Sequence, residues 1–288
     1  MRTETALERK STNMFQTFRD HWPNYLIEAW GLGAFMVSAG VLATLLYATN
    51  SPLTFSQPLW RDVLMGLGMG GTAMGIIYSP WGKRSGAHIN PAVTLTFFRL
   101  QKITAWDAFF YILAQFIGAL VGVLLVAVFL GVPFQQPPVN YVVTVPGQWG
   151  WPAALVTEFT ISFVLMTMVL WVSNTPRLAK LTGFFSGILV TLYVIFCAPI
   201  SGFGMNPART FGSALPAQTW TAFWIYYLAP PLAMLLAAEL YQQISKVRSR
   251  SICSKLCPNG EMPCISPVCC GECDRLIRPW RQNVESIS

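Results

Sequence analysis

Apolar residues in this chain come in long blocks rather than in alternation with polar ones. Six blocks of roughly 20 residues lie near 24–47, 60–80, 104–130, 152–172, 182–200 and 220–242. A helix of about 20 residues crosses the ~30 Å hydrocarbon core of a bilayer. Inside that core every backbone N–H and C=O must be bonded within its own segment, which leaves the helix as the spanning element. The pattern predicts an all-α polytopic membrane protein with six transmembrane helices. Two more segments, 85–98 and 201–215, are too short to cross. They are predicted to be re-entrant: a coil down to mid-membrane, then a half-helix back. Irregular backbone is tolerated at that depth only where it lines a cavity, so the two segments point to a pore.

Basic residues orient the spans, because Lys and Arg stay on the cytoplasmic side. Arg2, Arg9, Lys10 and Arg19 precede the first span, Lys83, Arg84, Arg99 and Lys102 surround the first short segment, and Arg177 and Lys180 separate the fourth and fifth spans. Seven more basic residues follow the sixth span, whereas the 131–150 loop has none and only Arg61 and Arg209 fall on the outer side. Both termini are therefore predicted to be cytoplasmic. The first 23 residues are polar and carry no cleavable signal peptide, so the first span is expected to act as its own insertion signal. Three parts follow: a cytoplasmic N-terminal tail over 1–23, a membrane domain over 24–243, and a cytoplasmic C-terminal tail over 244–288.

Composition removes the soluble alternative. Charged residues make up 11% of the chain and apolar ones 53%, with a mean hydropathy of +0.48, against about 25% charged in soluble domains. The net charge of +7 reads as topology and weak attraction to anionic lipid, with no nucleic-acid partner implied. The bilayer itself is the expected partner. A 131–150 loop without Cys or Asn-x-Ser/Thr sites is compatible with a bacterial inner membrane.

Each short segment carries the same tripeptide, Asn90-Pro91-Ala92 and Asn206-Pro207-Ala208, behind the lead-ins Ser85-Gly86-Ala87-His88-Ile89 and Ser201-Gly202-Phe203-Gly204-Met205. Asn favours the N-cap, and Pro has the φ of a first helical residue and lacks an N–H that would go unbonded there. A weak repeat surrounds them: Glu28 near the start of span one answers Glu158 in span four, and Tyr111 in span three answers Tyr226 in span six. With three spans per half the repeat is inverted, which puts a site at the midplane between interrupted helices. Two helix N-termini facing each other there, each with roughly half a positive charge, repel cations. Asn90 and Asn206 would turn amide donors to the lumen, and the non-helical stretches Gly86-Ala87-His88 and Gly202-Phe203-Gly204 would supply acceptor carbonyls. A water held by both amides points its hydrogens along the axis and interrupts a proton wire. An ion would also lose its hydration shell, so water and small neutral solutes are the expected cargo. His88 is expected to hydrogen-bond within its loop.

The two decapeptides Ser85–Thr94 and Ser201–Thr210 resemble the signature loops of the aquaporin, or major intrinsic protein, family, over roughly residues 24–243. The resemblance implies a right-handed bundle of six tilted helices plus two half-helices, one pore per subunit, and a homotetramer. It implies that Glu28 and Glu158 anchor the loops and that Arg209 lines the outer constriction, with Gly70, Val194 and Phe203 at the other constriction positions when counted from the motifs without gaps. Strict water channels carry an aromatic, a His and a small residue at those three. Phe203 is similar to the glycerol-facilitator pattern, but Thr210 and Ala214 stand where facilitators carry Asp and a basic residue, and Tyr226-Tyr227 is similar to the aromatic pair of water channels. The expectation is a passive water channel open to small neutral solutes. A glycerol, small-polyol or metalloid facilitator of the same family is the alternative. A proton-coupled secondary transporter is the rival from another class, since membrane carboxylates serve both. Asp107 and Glu239, near the membrane edge, are read as solvated.

Six of the seven Cys fall in the C-terminal tail. Cys270 and Cys273 have zinc-knuckle spacing, and Cys253 and Cys257 could complete a thiolate set for zinc or another metal. A disordered or palmitoylated juxtamembrane tail is the other reading, since Lys246, Arg248 and Arg250 precede it. No cofactor is otherwise implied. No catalytic constellation is present: His21 and His88 lie apart in sequence, and no Ser or Cys has a base nearby, so no enzyme is expected.

Overall fold

Every apolar block forms a helix in the computed structural model, which describes residues 13–49, 51, 53, 58–175, 177–245, 254–256 and 265. In chain order these are α1 (Met14–Tyr47), α2 (Pro58–Tyr78), α3 (Pro91–Arg99), α4 (Ala105–Leu130), α5 (Gly150–Ser173), α6 (Thr182–Phe196), α7 (Pro207–Ala217) and α8 (Trp224–Ser245), joined by single turns such as Pro80–Ser85 and Ala198–Ser201. Among the described residues, four helical stretches are long and apolar enough to cross a membrane on length and composition alone: α1, α4, α5 and Ala179–Phe196. At 21 and 22 residues, α2 and α8 are as long. Arg61 and Asp62 lower the apolarity of α2, and its Gly66 and Gly70 lie directly against α6.

Packing follows the inverted repeat. Helix α1 lies on α4 and its counterpart α5 lies on α8, while α2 and α6 pair with each other. Each half-helix crosses to the other half: α7 rests on α4, and α3 on α8. The two re-entrant segments are thereby wedged into the middle of the bundle from opposite sides.

Two expectations about the ends change. Helix α1 begins at Met14, inside the stretch read as tail, with Asn13 Oδ1 accepting from the Phe15 N–H at 3.0 Å. The extension is held on α4, where Phe18 and Tyr25 pack against the Phe110 ring at 5.1 and 5.0 Å. Asp107, read as solvated, is fully buried there; it accepts from Tyr25 Oη at 2.7 Å and Thr104 Oγ1 at 2.7 Å and meets His21 Nδ1 at 2.8 Å. Glu239 remains at the surface, 2.8 Å from Arg99 of α3.

Candidate functional site

The site starts from two N-caps. Asn90 and Asn206 have extended backbones, with φ of −156° and −145°, and each is followed by Pro at the first helical position. Asn90 Oδ1 accepts from the Ala92 N–H at 2.9 Å, and Asn206 Oδ1 accepts from the Ala208 and Arg209 N–H groups at 3.1 and 3.2 Å. With the oxygens so committed, the amide nitrogens reach across the midplane. Asn90 Nδ2 donates to Met205 O at 2.9 Å, and Asn206 Nδ2 donates to Ile89 O at 2.7 Å. The loops are thus tied tip to tip. Each amide has two hydrogens, so one serves this tie and the second is left for the lumen.

Two buried carboxylates hold the loops, as a matched pair. Glu28 accepts from Ser85 Oγ at 2.7 Å and from the His88 and Ile89 N–H groups at 3.0 and 2.5 Å. Glu158 accepts from Ser201 Oγ at 2.7 Å and from the Gly204 and Met205 N–H groups at 2.8 and 2.6 Å. Tyr111 Oη donates to Ser85 O at 2.8 Å and Tyr226 Oη to Ser201 O at 2.6 Å, which repeats the symmetry. Such ties are needed because the loops are strained: Gly86 and Gly202 have φ of +99° and +81°, and Ala87, Ile89, Phe203 and Met205 have φ between +41° and +53°. A non-glycine residue there costs on the order of 1–3 kcal/mol. These ties do not use the carbonyl oxygens of Ala87, His88, Phe203 and Gly204.

A cavity of about 90 Å³ runs past both asparagines. Asn90, Asn206, His88, Ile89, Phe203, Gly204 and Met205 come from the loops and Arg209 from the first turn of α7; Leu32, Phe35, Ala73, Ile77, Leu165 and Val190 supply an apolar wall from α1, α2, α5 and α6. Among the described residues no group accepts a hydrogen bond from Arg209 Nη1, and no carboxylate forms an ion pair with Arg209.

A family model for the major intrinsic proteins matches residues 19–241 of the 288. The chain belongs to the major intrinsic protein family. As a major intrinsic protein it is 37% identical to the putative aquaporin NIP4-1 of Arabidopsis thaliana over 173 residues, 59% of either chain. It is 31% identical to aquaporin-4 of Mus musculus over 222 residues, 72% of this chain and 67% of that one. The aligned part spans 56% to 59% of the length of four plant relatives. In fold it is similar to an aquaglyceroporin from Plasmodium falciparum, with a TM-score of 0.67 and 22% identity over 78% of this chain and 97% of that one.

Within this major intrinsic protein, the four constriction positions counted from the motifs do not come together on the cavity wall. Phe203 and Arg209 are on it. Gly70 is not: a Cβ there would stand 2.0 Å from Thr191 Oγ1 and 2.5 Å from Gly187 O, so the residue faces α6 and serves the helix crossing. Val194 packs in the apolar cluster with Tyr193 and Met205. Counting along a helix gives an azimuth only to within the helix's rotation, which its neighbours set. Gly86, Ala87 and Gly202 shape the loops from behind the wall. Phe35 and Leu165 went unread, although each lies seven residues beyond its half's anchoring glutamate and the repeat carried that signal.

His88 is tied more widely than its own loop. Its Nδ1 meets Thr94 Oγ1 at 3.2 Å, its ring stacks on Phe97 at 4.8 Å, and its Nε2 lies 3.0 Å from Ser254 O. Since a carbonyl can only accept, Nε2 carries the proton. Part of the segment read as a cytoplasmic C-terminal tail therefore lies against the cavity: Ser254, Lys255 and Leu256 are buried, and Leu256 lines it. The proposed thiolate ligands Cys253, Cys257, Cys270 and Cys273 lie outside the described residues.

Proposed function

We propose that this chain is a passive channel for water and small neutral solutes that excludes protons and ions. The observation that carries the reading is the pair of capped asparagines, cross-tied at 2.9 and 2.7 Å and bordering a narrow, largely apolar cavity. Each amide offers one remaining donor, and both half-helices point their positive ends at the same depth. A neutral molecule exchanges its hydrogen bonds for those of the amides and loop carbonyls. A cation meets the facing helix ends and the Arg209 guanidinium, and leaves its hydration behind. The carboxylates that a proton-coupled transporter would need are fully buried and each holds a hydroxyl and two amide N–H groups, which favours an anchoring role over proton cycling.

Solute choice is read as broad. Phe203 and Arg209 stand on a wall whose other side chains are mostly apolar, and Val194 stands where strict water channels carry a histidine; an aromatic and an aliphatic face suit the carbon side of a polyol while Arg209 takes its hydroxyls. The fold neighbour is an aquaglyceroporin. A homotetramer with one pore per subunit, both termini cytoplasmic and no catalysis complete the proposal. Plant and mammalian relatives give no reason to confine it to a bacterial inner membrane. The test is stopped-flow swelling of proteoliposomes in sucrose, glycerol and urea gradients with and without an uncoupler. Uncoupler-insensitive water and solute flux is expected. Flux that follows a proton gradient would overturn the channel, and zero glycerol and urea flux would overturn the broad wall.

A further inference from the structure

We infer that the segment Ser254-Lys255-Leu256 is an autoinhibitory plug seated in the cytoplasmic mouth of the pore. The inference rests on the channel reading above. Ser254 O accepts from His88 Nε2 at 3.0 Å, and the Leu256 N–H donates to Gly86 O at 3.0 Å. Leu256 projects onto the same cavity wall as Asn90, Asn206 and Arg209. The tail backbone therefore presents one acceptor and one donor to the first re-entrant loop, the two functions a water molecule would present to the same atoms. Its side chain adds hydrocarbon to the cavity wall at that end, and a hydrophobic constriction in a pore stops flow by dewetting.

The seat is shaped for this segment. At Gly86 a Cβ would stand 3.0 Å from Ser254 O and 3.5 Å from Lys255 Cγ, so the tail lies directly on the bare glycine. Leu256 and Ile265 pack in the apolar cluster that holds Ala87, Val93 and Phe97 of the first loop and α3. Topology agrees independently. Basic-residue placement puts the end of α8 and the mouth of the first re-entrant loop on the same, cytoplasmic side. Nine residue steps separate Ser245 from Ser254, a reach of up to about 30 Å when extended. The second loop, at Gly202 to Gly204, opens to the outer side, so the plug breaks the symmetry of the two halves and acts at one end only.

Two full-chain variants remove the contact by different means: Leu256→Pro deletes the N–H that bonds Gly86 O, and Leu256→Asp puts a charge where the lumen is apolar. Leu256→Met keeps both features. A plug seated in roughly nine of ten channels hides all but about a tenth of the permeability, so both disruptive variants should raise water flux about tenfold while Leu256→Met stays near wild type. Hydrogen exchange, read on the peptide containing Leu256, should be slow in wild type and fast in Leu256→Asp. Wild-type flux in both disruptive variants, or unfolded-chain exchange at Leu256 in wild type, overturns the plug. A slow amide with no flux from any chain overturns the channel reading and the plug's role with it.

Discussion

Glu158 shows how little freedom single residues have around the pore. Its carboxylate satisfies Ser201 Oγ and the Gly204 and Met205 N–H groups at 2.6 to 2.8 Å in a fully buried position. Glutamine keeps one acceptor but turns an NH₂ toward backbone donors. With about 1.5–3 kcal/mol per hydrogen bond to a charged group, Glu158→Gln should cost at least about 2 kcal/mol. The expected result is a lower melting temperature in detergent and reduced water flux, followed by circular dichroism and stopped-flow scattering. Arg209 contributes differently, because no described group accepts from its Nη1. Arg209→Ala should leave stability nearly unchanged, raise glycerol and urea flux, and admit cations, which a pH-sensitive dye and a sodium flux assay inside the same vesicles would detect. Unaltered solute and ion flux would remove Arg209 from the filter. These roles were legible in the sequence through the resemblance of the two motif loops to the family's signature loops, which implied both. The partners were not: that Asn206 Nδ2 reaches Ile89 O, across 117 positions of chain, depends on where two loops meet.

Among the elements, the α2–α6 crossing carries the clearest test. The built Cβ at Gly70 approaches Thr191 Oγ1 to 2.0 Å, so Gly70→Ala should force the helices apart and cost about 1–3 kcal/mol, the usual range for overpacking. Thermal unfolding should report the loss, with solute selectivity unchanged in the folded fraction. A residue facing the lumen would give the opposite result: unchanged stability and a narrower pore. The Arg99–Glu239 pair between α3 and α8 offers a contrast, since both side chains are more than a third exposed. Such pairs contribute about 0–1 kcal/mol, so Arg99→Ala should leave the melting temperature within a degree or two of wild type. Block length and turn residues identified every helix, but not the start of α1. Residues Met14 to Pro23 look like tail because they are polar, and they become helix because Phe18, His21 and Tyr25 find Phe110 and Asp107 on α4.

Taken whole, the molecule is two similar halves of opposite sense joined at their re-entrant tips, with the paired Glu28/Glu158 and Tyr111/Tyr226 contacts as the marks of the symmetry. The proposed exclusion of protons belongs to this scale, because neither half alone supplies both amides. Asn206→Ala should therefore break the tie to Ile89 O and the cap on α7 together, lowering stability by about 1–2 kcal/mol and letting an imposed pH gradient across proteoliposomes decay faster than in wild type. Membrane class, span number, loop positions and the anchoring glutamates were determined by the sequence itself. Apolar block length, helix-capping chemistry and an internal repeat are local properties, and the bilayer turns them directly into structure. Which side chains meet across the lumen, the burial of Asp107, the departure of Gly70 from the pore wall and the return of Ser254–Leu256 to the mouth were decided only in the folded molecule. Each depends on the rotation of one helix against another or on where a distant strand of chain comes to rest, and neither quantity is encoded within a single segment.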